Sequence, residues 1–234
     1  MQRIKKAFPN SFVLFKPRDI VSGDFYYFNT LDQYQILAAV DCTGHGVPGA
    51  FMSLIGNDLL NNIVNAQGIW QPDLILNSLH QQVRMALKQD KTDNRDGMDI
   101  SIIAIDTTNQ QLHFASAKGS LIYFQNGQMQ QVKGDKLPVG GEQREDKREF
   151  TPHRIDISSP TTFYLFSDGY ADQFGGPNGK KFMVTQFREL LTEIHMHPMP
   201  FQQKKLEESL ENWMNDGGQI HRQLDDILVM GIKV

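Results

Sequence analysis

Carboxylates stand at the ends of several apolar runs in this chain. Asp24 lies in VSGDFYYF, Asp41 closes AAVD, Asp168 follows YLFS, and the pair Asp225-Asp226 opens DDILVMGI. A carboxylate beside a core strand costs several kcal/mol unless it is paired or coordinates a metal. Cations near these acids in sequence are too few to pair them all, although distant ones could serve. Any one of the acids alone reads as a turn residue. As a set they suggest a cluster at one end of a folded core. Oxygen donors without a Cys or His set point to Mg²⁺ or Mn²⁺ rather than zinc. Two such ions can clamp a phosphate and activate water.

The glycine run after Asp41 offers a competing chemistry. Gly44-His45-Gly46-Val47-Pro48-Gly49 fits the G-x-G-x-x-G spacing of a dinucleotide fingerprint between strand and helix. Here Asp41, Cys42 and Thr43 separate strand from glycines, and an acid at the strand end repels a pyrophosphate. The fingerprint also requires a second strand ending in an acid soon after the first helix, where this chain continues as helix. A dinucleotide-binding oxidoreductase is therefore the remote alternative.

The elements that must position these residues follow from periodicity. Strand-like segments come first: Ser11 to Pro17, Gly23 to Thr30 and Gln33 to Val40. Two helices follow, Ala50 to Ala66 and Leu74 to Lys88. Phe51, Leu54, Ile55, Leu59 and Ile63 mark the apolar face of the first; Leu74, Leu79, Val83 and Leu87 mark that of the second. Strands return at Met98 to Thr107 and in runs starting at Gln111, Ser120, Lys147 and Thr161. Helices Phe182 to His195 and Phe201 to Met214 precede a last strand, DDILVMGIKV. Short turns between strands make neighbours antiparallel. Helices come in pairs between strand groups, so the pattern is not doubly wound. The expected fold is α+β, a four-layer α-β-β-α sandwich of two mainly antiparallel sheets flanked by helix pairs.

Composition narrows the function classes. The 234 residues carry a formal charge of -4, which gives no general attraction to nucleic acid or an anionic membrane. A single cysteine, Cys42, excludes an internal disulfide and suits a reducing compartment. No apolar run approaches the roughly 20 residues of a membrane span, and the N-terminus lacks the apolar part of a signal peptide. The expected location is the cytoplasm, or the cytoplasmic face of a membrane sensor within a longer chain.

VSGDFYYF, DCTGHGVPGAFMS, FSDGYADQF and DDILVMGI together resemble the metal-dependent (PPM, type 2C) serine/threonine phosphatases, in the bacterial branch typified by sporulation stage II protein E. The resemblance covers about Asn10 to Val234, with the motifs in the family's order. It implies the same four-layer sandwich and two Mn²⁺ or Mg²⁺ ions. It also implies metal ligation by Asp24, Asp41, the backbone carbonyl of Cys42, Asp168, and Asp225 or Asp226, the first of that pair favoured by alignment. Asp41 would bridge both ions, and Gly44 and Gly46 would turn the backbone beside them. His45 becomes a candidate general acid for the leaving serine oxygen, since imidazole side chains as a class exchange protons near neutrality; fixing the glycine turn by hydrogen bonds is an equal reading. Asp96 and Asp99 could hold a third, weaker ion.

The chain departs from the animal and plant enzymes at their early phosphate-gripping arginine. Lys16 and Arg18 lie near that position but in no matching motif. ASAKGSLIYF replaces an Asn-Ala-Gly-His stretch, so a contact that relatives make there is expected to be missing. FGGPNGKKF lacks the spacing of a phosphate loop and reads as a flap or turn. The histidines of HMHP read as solvated helix-end residues, and Cys42 has no base to make it a nucleophile. The expectation is one phosphatase domain, 1–234, the C-terminal output part of a larger regulatory protein with an upstream sensor or coiled coil and a homodimer through that region. Its substrate would be a phosphorylated signalling protein, on the branch's analogy an anti-sigma-factor antagonist. A non-catalytic phosphatase-like scaffold is the rival from another class.

Overall fold

Alternation along the central strands decides which layer each side chain enters. In β3 (Tyr34–Cys42), Leu37 and Ala39 enter one core while Ile36, Ala38, Val40 and Cys42 enter another. A strand apolar on both faces must be covered on both, and that requirement generates the layers. In the computed structural model, which describes residues 1–145, 147–216 and 220–234, the expected four-layer sandwich is present.

One sheet has the order β2 (Phe25–Leu31), β3, β4 (Gly97–Asp106), β5 (Gln111–Ala117), β9 (His153–Asp156), with the two-residue β8 (Val139–Gly140) on β4. The other has the order β1 (Ser11–Lys16), β13 (Ile227–Lys233), β10 (Thr161–Phe166), β6 (Ser120–Gln125), β7 (Gln128–Lys133). All strand pairs within these sheets are antiparallel. A small hairpin, β11 (Phe174–Gly175) with β12 (Lys180–Lys181), takes up the FGGPNGKKF turn. Leu37, Ile103, Phe114, Leu165 and Met230 fill the core between the sheets. Helices α2 (Gly46–Asn61) and α3 (Pro72–Ala86) cover the first sheet. Helices α5 (Met183–Ile194) and α6 (Met199–Asn215) cover the second, through Phe187, Leu191, Leu206 and Leu210. A four-residue helix, α4 (Gly169–Asp172), follows β10.

Four expectations change. A short N-terminal helix, α1 (Gln2–Ala7), drops Ile4 into the inter-sheet core. The run from Lys147 narrows to β9, because the buried guanidinium of Arg148 pins the preceding segment to the carbonyls of Pro138, Gly140 and Glu142. The largest change is in α2. Phe51 and Leu54 are 63% and 67% exposed, Ile55 and Leu59 pack half-buried against the core as expected, and the fully buried face is Met52, Gly56 and Leu60. Gly56 explains the choice: a Cβ there would stand 3.0 Å from the Met98 side chain and 3.2 Å from the Phe25 ring, so the helix lies close to the sheet along its smallest residue. The helix then loosens into a π-helical turn (Asn62–Ala66), which brings Ile63 and Val64 inward. In α3, Leu79 and Val83 are buried as expected, but Ile75 and Leu76 join them and Leu74 is half exposed.

This orientation is testable. Leu60→Ala should destabilise the domain by about 2–5 kcal/mol. The double change Phe51→Ser, Leu54→Ser should stay within about 0.5 kcal/mol of wild type per site. Chemical denaturation of both variants checks the pair; equal losses would contradict this packing.

Candidate active site

Register brings the acidic strand ends together. Asp41 near the end of β3 stands opposite Asp99 near the start of β4. Opposed residues share a sheet face, here the face that Leu37 and Ala39 turn toward the inter-sheet core. Both carboxyls therefore project into the gap between the sheets where the apolar filling ends. β2 starts at Phe25, opposite Val40, which delivers Asp24 to the same edge. On the other sheet β10 ends and antiparallel β13 begins at this edge, with Phe166 opposite Val229. Ser167-Asp168 and Asp225-Asp226 emerge there.

The crowding shows in the proton affinities. Asp24 is 3% exposed, and burial, with Asp226, Asp225 and Asp168 nearby, pushes its carboxyl up to about 7 against the pull of the Ser167 hydroxyl. Burial, with Asp24, Asp168, Asp225 and Asp99 adding to it, pushes Asp41 up to about 9. Asp168 is raised by burial and by Asp172 and Asp225, and it accepts a hydrogen bond from the Asp41 carboxyl. Protons thus stand where positive charge is wanted. The Oδ2 of Asp24 is buried without a hydrogen-bond partner, a costly state for an acceptor. Among the described residues no three acidic, imidazole or thiol groups already stand in ligating geometry, so the side chains would have to close around an ion. An oxygen-only set with an orphaned buried acceptor fits a hard divalent cation.

Asp225 and Asp226, inseparable in sequence, now differ. Asp226 is buried, and its two carboxylate oxygens accept the backbone N–H groups of Arg18 (2.7 Å) and Gly23 (2.8 Å). It straps the loop that carries Asp24. Asp225 is exposed, accepts the N–H of Asp226, and acts electrostatically on Asp24, Asp41 and Asp168.

The glycines serve backbone approach rather than a nucleotide. Gly44 and Gly46 adopt φ of +82° and +63°, which favour glycine. A Cβ on Gly23 or Gly49 would collide with the Gly44 carbonyl, so the loop before β2, the turn after β3 and the start of α2 pack main chain to main chain. Thr43 locks that turn to β4: its N–H and hydroxyl both donate to the Gly97 carbonyl, and its hydroxyl accepts the Gly97 N–H. The Cys42 side chain points away into the helix-side core, where burial pushes the thiol well above its usual range.

The other sequence candidates separate. His45 is half exposed, with its Nδ1 3.2 Å from Asp19 Oδ2; the sequence reading missed Asp19, which carries no signal beyond proximity to Asp24. Asp99 belongs to the cluster, whereas Asp96 is occupied in a turn by Asn94. Lys16 pairs with Glu211 of α6. His195 stacks on Phe124 and His197 lies tilted against Phe201, away from the acids. Lys118 was also missed: its Nζ lies 3.5 Å from Asp99 Oδ1.

A profile of the stage II sporulation protein E (SpoIIE) family matches residues 32–234. The chain belongs to this family. It is 31% identical to the SiaA-PP2C domain of Pseudomonas aeruginosa, with a TM-score of 0.87 over 100% of this chain and 89% of that one. The PP2C phosphatase domain with a regulatory fragment of SpoIIE from Bacillus subtilis is 18% identical, at a TM-score of 0.74, over 96% of this chain and 63% of that one. The RsbU and RsbW domains of Rv1364c from Mycobacterium tuberculosis are 15% identical, at 0.70, over 97% and 60%. No curated protein matches the chain. SpoIIE membership and the PP2C-like fold mark it as a protein phosphatase. Among the described residues no helix is long and apolar enough to cross a membrane.

The raised carboxyls give a pH signature. The folded chain keeps protons on Asp24 and Asp41 at pH values where the unfolded chain, with carboxyls near 3.8, has lost them. The folded state then binds more protons, so stability falls as pH rises from 3.8 towards about 7 for Asp24 and about 9 for Asp41. The melting temperature of the domain in EDTA should therefore drop between about pH 5 and pH 9, and Mn²⁺ should flatten the decline by binding the folded state alone. A flat EDTA profile in differential scanning fluorimetry would contradict the charge assignment.

Proposed function

We propose that the domain hydrolyses phosphoserine or phosphothreonine on a partner protein and depends on Mg²⁺ or Mn²⁺. The observation that carries this reading is the convergence of Asp24, Asp41, Asp168 and Asp225 from separate strand ends, with the Asp24 Oδ2 left without a donor. These four carboxylates and the Cys42 carbonyl would hold the ions, with Asp99 beside them. The Cys42 oxygen lies on the Asp24 side, 3.3 Å from where a Cβ on Gly23 would stand. Bound ions of this type neutralise phosphoryl oxygens and lower the pKa of water.

The rest falls to the chain's own groups. Asp226 holds the Asp24 loop in place through two backbone N–H groups. Gly169 packs against the Asp226 carbonyl so closely that a Cβ would clash, which fixes Asp168 beside the DD pair. Asp19 anchors His45 at Nδ1, and the ring in its imidazolium form would give the Nε2 proton to the departing serine oxygen. The phosphorus–oxygen bond to serine breaks, a water oxygen takes its place, and the proton goes to the alcohol. With the Cys42 thiol buried and its pKa raised, no phosphorylated cysteine is part of the reading. Similar structures include the paired RsbU and RsbW domains and a domain of the bacterial stressosome, which is in keeping with a signalling phosphoprotein as substrate and a place as the output domain of a regulatory chain; an anti-sigma-factor antagonist is the substrate type we propose on the branch's analogy. Crowded acids weaken a fold, so their presence as a set favours catalysis over a purely scaffolding role.

Hydrolysis of p-nitrophenyl phosphate and of a phosphoserine peptide should require Mn²⁺ or Mg²⁺ and stop in EDTA. Asp168→Asn and Asp41→Asn should each lower turnover by at least roughly 10²-fold while raising the melting temperature in EDTA at alkaline pH, because a crowded charge is removed. Full metal-dependent activity in Asp168→Asn would defeat the assignment.

A further inference from the structure

β5 and β6 are consecutive strands in different sheets, and only Lys118-Gly119 join them. The chain crosses the sandwich here in two residues, at the acidic edge. Gly119 makes the crossing possible, since a Cβ would collide with the hydroxyls of Ser101 and Ser116, which are bonded to each other at 2.9 Å. Lys118 sits at φ +62°, a left-handed conformation that lysine rarely adopts. Main-chain bonds hold it there: its N–H donates to the Asp135 carbonyl (2.6 Å), and the Asp135 N–H donates to Ser116 (2.9 Å). Glycine would suit this position better, so the backbone gives no reason for a lysine.

The side chain does. A cavity of about 590 Å³ opens at this edge, and its lining includes Asp41, Asp99 and Asp168 together with Lys118, Lys133 and Lys136. The Lys118 amine pairs a member of the acidic cluster, at 3.5 Å from Asp99. Asp135, the further acid of the wall, is taken up by the N–H and hydroxyl of Thr151. Lys16 is occupied by Glu211. A phosphoryl group that enters the cavity toward Asp41 and Asp168 meets the Lys118 amine.

Building on the phosphatase reading above, we propose that Lys118 grips the phosphoryl group of the substrate, and that the cavity beside it receives the flanking phosphoprotein segment. Without phosphate the amine rests on Asp99, and with phosphate it turns to the anion. A strained backbone kept for the sake of one amine is the arrangement expected at a functional position.

Lys118→Gly separates this role from a structural one, because glycine relaxes the backbone while it removes the cation. In Mn²⁺, the variant should show KM for a phosphoserine peptide, and Ki for inorganic phosphate, each raised roughly tenfold or more with kcat changed far less. Its melting temperature should equal or exceed that of wild type. Lys118→Met should show the same kinetic losses, and Lys118→Arg should recover most of the phosphate affinity. Wild-type KM and Ki in both the Gly and Met variants would overturn the proposal while leaving the phosphatase reading intact. Absence of turnover by wild-type protein in Mn²⁺ and in Mg²⁺ would instead count against that reading.

Discussion

Carboxyl groups repel one another and lose hydration when buried, yet this fold drives Asp24, Asp41, Asp99 and Asp168 to one edge of a sandwich. Only a rigid frame can hold such a cluster, and the frame is built largely of backbone. Two sheets set the strand ends by register, and Gly23, Gly44 and Gly49 let three main-chain segments touch. Asp226 spends both its oxygens on N–H groups of the loop that precedes Asp24. One acid of the DD pair is therefore a strut, and its neighbour is free to act. The layers, the tight turns and the buried strut all answer to the same electrostatic load.

Layer order was legible because the apolar runs of β3, β4 and β10 are nearly unbroken, and a strand apolar on both faces needs cover on both. Membership of the acidic edge was legible too, since each acid directly adjoins an apolar run. The face of α2 was not. Phe51 and Leu54 sit at helical spacing with Ile55 and Leu59, so counting apolar residues favours them; contact is decided instead by Gly56, whose missing side chain lets the helix approach Met98 and Phe25. Periodicity counts what a residue has, and here the absent side chain wins.

Hydrogen-bond direction is the other thing a sequence withholds. Nothing in DD says which carboxylate bonds backbone and which stays open. Nothing in FKPRDIVSGD says that Asp19, six residues from the strand, reaches across to His45. Lys118 was hidden for a different reason: its importance lies in a two-residue passage between sheets, and sheet membership is a long-range property. The SiaA-PP2C domain retains the overall shape at 31% identity and the SpoIIE phosphatase domain at 18%, which is consistent with a frame set by pattern and backbone more than by particular side chains.

The position of β13 has a consequence for the birth of the protein. This strand lies between β1 and β10, so residues 11–16 wait for residues 227–232 before they are paired. Asp225 and Asp226 arrive with the same segment. On the ribosome, the first sheet and its two helices can emerge and begin to pack while the second sheet still lacks an inner strand. The loop bearing Asp24 lacks its two bonds to the Asp226 carboxylate until that residue exists. A nascent chain that ends between Asp168 and β13 carries Asp24, Asp41, Asp99 and Asp168 but neither the strut nor the closed edge, so the acidic cluster takes its final form only once that strand is added.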